Sequence, residues 1–350
     1  MHRRRIAGTV LLAAALLALW GGVHVRSVSL LAAYPGVSVR IFDTPIADKR
    51  LKKLLAKETA DAPACVAAWT RSGRQTVSSA AMHTKSDARI VCVYGDMRQV
   101  VPMTLLSGSF PVDGDYGGCL LDADTAQTLF HAVDVVGAQV ETGGARYAVR
   151  GVVKTYEPML LTRSELAAYE NLEFRVADLS TGNVSVNAFL YQYALTNDHV
   201  IVQSGLYAKI LSGLVFLPVE LALLAVALRL LSAVWRGRRR RAFALLLLPA
   251  AAAFAALLWL GNRTFFWPQA FLPTKCSDFA FWGTLWESWQ QNWKSIQLMT
   301  PLPKEIVLFR GMRQSMCALA VILLLEIRVI GNVCGLLAAR KHTKQEDPVL

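Results

Sequence analysis

Four apolar runs, at 6–23, 206–234, 242–260 and 314–338, constrain this chain most, because its dense arginine clusters fall at one side of them. A helix crossing about 30 Å of hydrocarbon needs roughly 20 mostly apolar residues, and all four runs meet or approach that length. Core helices of a soluble protein do not explain the last three. The first run follows Arg3, Arg4 and Arg5 and has the layout of a secretory signal. No convincing small-x-small cleavage site comes after it, so it is read as a retained signal anchor.

Topology follows from the cations near the ends of the spans. Arg3 to Arg5 precede the first, Arg236 and Arg238 to Arg241 separate the second from the third, and Arg340, Lys341 and Lys344 follow the fourth. The positive-inside rule then puts all three clusters, and both termini, in the cytoplasm. The cytoplasmic parts are 1–5, the loop 235–241 and the tail 339–350, while 24–205 and 262–313 face outward. The fold class is an α-helical membrane protein with four transmembrane helices and a large extracytoplasmic mixed α/β domain between helices 1 and 2.

The formal charge of +12 is not a nucleic-acid signature. Between 24 and 205 there are 17 Lys plus Arg against 18 Asp plus Glu, so the polar region is near neutral. The excess cations sit beside the spans, where anionic lipid attracts them. Along this outer segment the pattern alternates between strands and helices. SVRIF at 38–42 reads as a strand, and the turn at Asp43 to Pro45 opens a helix through Lys57. CVAAWTR at 65–71 and TVSSAAMHT at 76–84 read as a hairpin across Ser72 and Gly73, followed by the strand ARIVCVYG at 88–95. LLSGSFPVDGD at 105–115 reads as a loop, and CLLDADTAQTLF at 119–130 as a short strand running into a helix capped by Asp122 or Asp124. Strands at 136–140 and 145–153 flank a Gly143-Gly144 turn. The segment 184–205 reads either as a long stalk helix entering the membrane or as a strand with a short linker; Val184, Val186, Val200 and Val202 weigh against the helix.

The order LLSGSF, acidic turn, CLLDADTAQTLF, VVGAQV, YAVRGVV resembles the periplasmic core domain of MacB-like permeases in the MacB/FtsX superfamily. The matching positions are Leu106, Gly108, Phe110, Leu129, Phe130, Val136, Gly137, Tyr147, Gly151 and Val152. The order of one helix, a large outer domain and three helices is also similar. The resemblance implies a bacterial plasma-membrane permease subunit of an ATP-binding cassette (ABC) system, paired with a second permease copy or related subunit. It implies export or mechanical transmission, with ATP supplied only through a partner ATPase. The chain itself holds no Gly-x-x-x-x-Gly-Lys-Ser/Thr loop for phosphates, and no cofactor is expected in it. One departure stands out. Family members place an ATPase-docking helix after the second span, and WRGRRRR at 235–241 is too short for one. EIRVIGNVCG at 326–335 has some of that helix's letters but lies in the fourth span. A non-transporting scaffold that presents an outer interaction domain therefore stands as the alternative function.

Other residues carry separate signals. Trp282, Trp286, Trp289 and Trp293 are spaced four, three and four apart, which aligns them on one stripe of an amphipathic helix. Either the stripe lies on the outer leaflet, or it packs against the outer domain or a partner. Glu220, Glu326 and Arg328 fall inside apolar runs, where charge is costly and faces a partner or a cavity. The expectation is that Glu220 and Arg328 approach one another. Gly331 and Gly335 form Gly-x-x-x-Gly on the fourth span, a pattern that lets helices contact closely. Pro218 and Pro249 are expected to bend the second and third spans. Cys65 and Cys92 fall on neighbouring predicted strands, with a disulfide and buried thiols both open as readings. No metal-ligand spacing and no nucleophile–base arrangement is present, so no metal site, catalytic residue or enzyme activity is assigned.

Overall fold

The computed structural model describes residues 2–55, 63–195, 198–236, 242–264, 273, 275 and 280–343. The chain divides into two compact units, one formed by Ala33–Leu206 with Pro268–Leu308, the other by Met1–Ala32, Tyr207–Trp267 and Phe309–Leu350. In chain order the elements are α1 (His2–Ala33), β1 (Val37–Ile41), β2 (Ile46–Ala47), α2 (Asp48–Leu55), β3 (Ala64–Ser79), β4 (Thr84–Gly95), β5 (Thr104–Gly108), β6 (Gly118–Asp122) and α3 (Ala123–Phe130). Then follow β7 (Gln139–Thr142), β8 (Ala145–Lys154), β9 (Met159–Thr162), β10 (Ala168–Tyr169), β11 (Asn171–Arg175), α4 (Gly182–Gln192) and β12 (His199–Val202). The helices α5 (Ser204–Leu214), α6 (Leu217–Arg236), α7 (Ala242–Thr264), α8 (Ala280–Leu298) and α9 (Pro303–Thr343) complete the chain.

A ten-stranded mixed sheet organises the first unit, in the order β12-β1-β11-β3-β4-β9-β6-β8-β5, with β7 pairing both β3 and β8. The long strands β3 and β4 run through it. At one end, Val37, Val39, Ile41, Leu172 and Phe174 pack with Phe189 and Leu190 of α4 and Leu51 of α2. At the other, Val77, Leu121, Val149 and Leu160 enclose Ala126 and Leu129 of α3. Of the two candidate caps of α3, it is Asp122 that serves, accepting the Asp124 N–H at 3.0 Å. The Gly143-Gly144 turn joins β7 to β8, both glycines at positive φ.

The motif glycines have a steric reason. Gly108 and Gly151 face each other across β5 and β8, and a Cβ on Gly108 would lie 2.2 Å from the Arg150 carbonyl oxygen. Gly108 also has φ +77°, a region that glycine enters freely.

Several local expectations are corrected. The stretches 65–71 and 76–84 do not form a hairpin, because Ser72 and Gly73 sit in a β-bulge of the single strand β3, where register moves from Arg71↔Val91 to Arg74↔Arg89. The reversal comes instead after Ser79, closed by His83 at φ 54°. The loop expected at 105–115 opens with β5. The helix expected after Pro45 starts only at Asp48, after β2, and Lys57 lies outside the described residues. The stretch 184–205 is not one stalk helix: α4 ends at Gln192, and β12 then pairs with β1.

Among the described residues, three helices are long and apolar enough to cross a membrane, within Ile6–Ala33, Ser204–Ser232 and Pro303–Val333, and α7 adds a shorter apolar stretch at Ala251–Asn262. The last begins earlier than its apolar run suggests, so Pro303 to Arg313 belong to α9 and not to a loop. At 41 residues α9 is about 60 Å long, roughly twice the hydrocarbon thickness. The second run is broken between Leu214 and Leu217, just before Pro218, which has no N–H to continue the ladder. There the Trp20 indole donates to the Val215 carbonyl at 2.9 Å, supplying a donor where the helix is interrupted. Pro249 lies inside α7. The loop 235–241 beyond Arg236, Cys276 and the tail from 344 lie outside the described residues.

Candidate functional site: a buried ionic node

Strand β1 is buried at every position, so both its faces are covered. Alternation sends Val37, Val39 and Ile41 into the apolar cluster and turns Ser38 and Arg40 to the opposite face. Register puts Ser38 across from Glu173 and Arg40 across from Asn171, and Asn171 in turn across from Trp69. A polar set of Ser38, Arg40, Glu173 and Trp69 is thereby assembled on one face of three adjacent strands.

The first turn of α9 completes it. Pro303 occupies the first helical position, where a missing N–H costs nothing. Glu305, two residues on, reaches back so that its Oε2 accepts the Leu302 N–H at 3.1 Å, which is half of a capping box. A cation at Lys304 is unfavourable for the helix dipole, so tertiary partners must hold it. Its ammonium donates to Glu173 Oε2 and to the Gln99 carbonyl, both at 2.6 Å. Arg40 donates from Nε to Glu305 Oε1 at 3.0 Å and from Nη1 to Glu173 Oε1 at 3.0 Å. Glu173 also accepts from the Trp69 indole at 3.1 Å and from the Ser38 hydroxyl. The Tyr34 hydroxyl donates to the Lys304 carbonyl at 2.8 Å. Leu302 packs against the cluster containing Trp69, Val91 and Met97.

Two cations and two carboxylates thus balance, with every side chain at most 5% exposed. Burial alone would push the Glu173 carboxyl up, but Lys304 and Arg40 outweigh it and hold the group below the usual glutamate range. Burial, reinforced by Glu305 and Glu173, keeps the Tyr34 hydroxyl protonated far above its ordinary range. Such a cluster adds little net stability over an apolar one, but losing a single member leaves an uncompensated charge, at a cost of about 3–5 kcal/mol. The arrangement enforces one geometry.

A further chain connection meets the residue before the same strand. Gly36 O accepts from the Gly205 N–H at 2.8 Å and from the Ser204 hydroxyl at 2.9 Å, and a Cβ on Gly36 would lie 1.9 Å from the Phe174 carbonyl oxygen. The segment leaving α1, the start of α5 and the start of α9 are therefore all bonded to β1 or to the residue before it. The node and the Gly36 bonds together tie three chain connections to one strand, β1.

The residues singled out from sequence lie elsewhere. Glu220 is in the first turn of α6. Glu326 is buried, with neither carboxylate oxygen hydrogen-bonded among the described residues, whereas Arg328 is exposed two residues on. The expected approach of Glu220 and Arg328 is not seen, as no ion pair joins them among the described residues. Gly331 and Gly335 have open space where a Cβ would be. The four tryptophans are exposed on α8. No disulfide joins Cys65 and Cys92: Cys92 stands opposite Thr70, five residues along β3 from Cys65, too far for one. Cys119 is free, its thiol pushed by burial up to about 12. No local pattern marks the node, whose ion pairs join residues 131 to 265 positions apart. The sequence signals available are Arg40 in the alternating strand Val-Ser-Val-Arg-Ile and the Pro303 and Glu305 helix start.

The model of the MacB-like periplasmic core domain family matches residues 11–190. Among solved structures, the periplasmic region of MacB from Actinobacillus actinomycetemcomitans aligns at 13% identity and TM-score 0.41, covering 48% of this chain and 88% of that one. The extracellular domain of the noncanonic ABC-type transporter YknZ from Gram-positive bacteria aligns at 14% identity and TM-score 0.37, covering 47% and 99%. A domain of a putative permease protein from Porphyromonas gingivalis aligns at 10% identity and TM-score 0.37, covering 49% and 91%. A comparison with curated proteins gave no match. With the family model spanning half of its length, the chain belongs to the MacB-like periplasmic core domain family.

Proposed function

We propose that this chain is the permease-like membrane subunit of an ABC export or mechanotransmission system, with ATP hydrolysis supplied by a separate subunit. Four membrane helices with both termini in the cytoplasm carry the core domain on the outer face of a bacterial plasma membrane, beside a second permease copy or related subunit. The observation that carries the reading is the ionic node, because a domain that only displays a binding surface needs no rigid bonding of its crossing segments to one strand. ATP is the partner's ligand, and no residue here is given a catalytic role.

The shortness of 235–241 favours a second reading, a scaffold without an ATPase. Affinity purification from native membranes separates the two. Recovery of an ABC ATPase, with hydrolysis stimulated in the complex and lost on altering 235–241 or the tails, supports the first. Its consistent absence supports the scaffold.

A further inference from the structure

A cavity of about 290 Å³ lies within the unit built on the large sheet, walled by α2, the start of β3, the end of β4, the turn 113–116 and the residues that follow β9. Two cations and two carboxylates line it, and they are paired unequally. On α2, Asp48 is buried; its carboxylate accepts from the Tyr169 hydroxyl at 2.9 Å and lies 2.6 Å from the Lys52 ammonium. Lys52 also donates to the Tyr116 hydroxyl at 3.2 Å and stands 6.0 Å and 5.7 Å from the ring centres of Tyr94 and Tyr116. This acid and this base are committed to each other and to the tyrosines around them.

Arg163 is placed differently. Its side chain is only 9% exposed. Nη2 donates to the Gly95 and Pro111 carbonyls at 3.1 Å and 3.4 Å, while Nε is buried with no hydrogen-bond partner among the described residues. Carbonyls do not neutralise a buried charge, which needs an anion beside it. That anion is Asp113, 2.9 Å from Nη2, and its own side chain is 87% exposed. A carboxylate so open to water loses little when it leaves an ion pair. The turn does not depend on it either: the Asp115 N–H donates to the Val112 carbonyl at 3.1 Å, and the Asp115 carboxylate accepts from Arg150 Nε at 2.8 Å.

We propose that this cavity binds a small monoanionic carboxylate, which takes the place of Asp113 on Arg163. Asp113 stands in for the carboxylate of that ligand. Nε and one N–H of Nη2 lie along one edge of a guanidinium, at a spacing that matches the two oxygens of a carboxylate, so the ligand supplies the acceptor that Nε lacks. The exchange keeps two positive charges against two negative ones. A dianion such as phosphate adds a charge beside Asp48 and is disfavoured. The cavity is at the small end of the roughly 300–1,000 Å³ found for ligand pockets, and the rings of Tyr94 and Tyr116 offer apolar walls to the body of the ligand. The inference is independent of an ATPase partner and of the membrane topology.

The test titrates the detergent-solubilised full chain with N-acetylglycine, followed by saturation-transfer NMR, with N-acetylglycinamide as the neutral arm and inorganic phosphate as a competitor. The expected result is a saturable signal from the acid and none from the amide. Asp113→Asn, at an exposed position, removes the internal competitor and should lower the Kd at least threefold. Arg163→Lys keeps the charge but removes the two-point edge and should raise it at least tenfold, with circular dichroism reporting whether the variant is folded. Asp113→Asn decides the matter even where Arg163→Lys does not fold. Its failure to bind N-acetylglycine saturably, or a Kd equal to that of the unaltered chain, would overturn the proposal. Equal signals from acid and amide, or displacement by phosphate at concentrations below the Kd of the acid, would overturn it as well.

Discussion

Replacing Glu173 by glutamine keeps its shape and removes one of two negative charges from a site also holding Arg40, Lys304 and Glu305. Arg40 retains Glu305, but the Lys304 ammonium, held 2.6 Å from the lost charge, is left with carbonyl partners in a closed space. The expected cost is about 3–5 kcal/mol, the range for breaking a buried pair from one side. That would consume much of the roughly 5–15 kcal/mol that holds a domain folded. Hydrogen exchange read by mass spectrometry on the detergent-solubilised chain measures it locally, and at 1.4 kcal/mol per decade the amides of 37–41 and 171–175 should exchange about 100- to 4,000-fold faster. Glu173→Gln combined with Lys304→Met removes both charges of the pair and should restore most of the protection, since replacing a whole buried pair is close to neutral. Two results would refute the reasoning: a single substitution costing under about 1 kcal/mol, as at an exposed pair, or a double variant as unstable as the sum of its parts.

Further outcomes are specific. Because the Glu173 carboxyl is held below its unfolded value, its contribution is complete above the ordinary glutamate range and is lost as pH falls through the lowered value; exchange at 37–41 should therefore accelerate only below about pH 4, and Glu173→Gln should flatten that dependence. Gly36→Ala, which drives a methyl into the Phe174 carbonyl, should abolish folded yield, while Gly137→Ala, with φ +87° but open space, should cost only about 1–2 kcal/mol in thermal unfolding. Trp20→Phe removes the indole donor to Val215 at the break in the second span and should lower the melting midpoint by the equivalent of about 1–2 kcal/mol.

Local chemistry was legible in the sequence. Asp122 capping α3, the Gly143-Gly144 reversal and the glycines of the family pattern are decided by neighbours in the chain. Where two local solutions compete, the sequence does not choose between them. Ser72 and Gly73 suit a turn or a bulge, and the long pairing of β3 with β4 selects the bulge. The valines at 200 and 202 join the sheet because β1 offers an open edge, a tertiary fact. The node was out of reach for the same reason, since its partners meet only after β1, β3, β11 and α9 have assembled. Pro303 and Glu305 do write the start of α9 into the chain, although the apolar run places that start eleven residues later.

In the proposed function, nucleotide turnover on a separate ATPase moves the outer domain through these fixed connections. The direct measurement is the distance between spin labels at exposed positions 87 of two copies in the reconstituted complex, by pulsed electron resonance, with and without a non-hydrolysable ATP analogue. The account predicts a displaced distance distribution when nucleotide is bound. An unchanged distribution in a complex that hydrolyses ATP would contradict it.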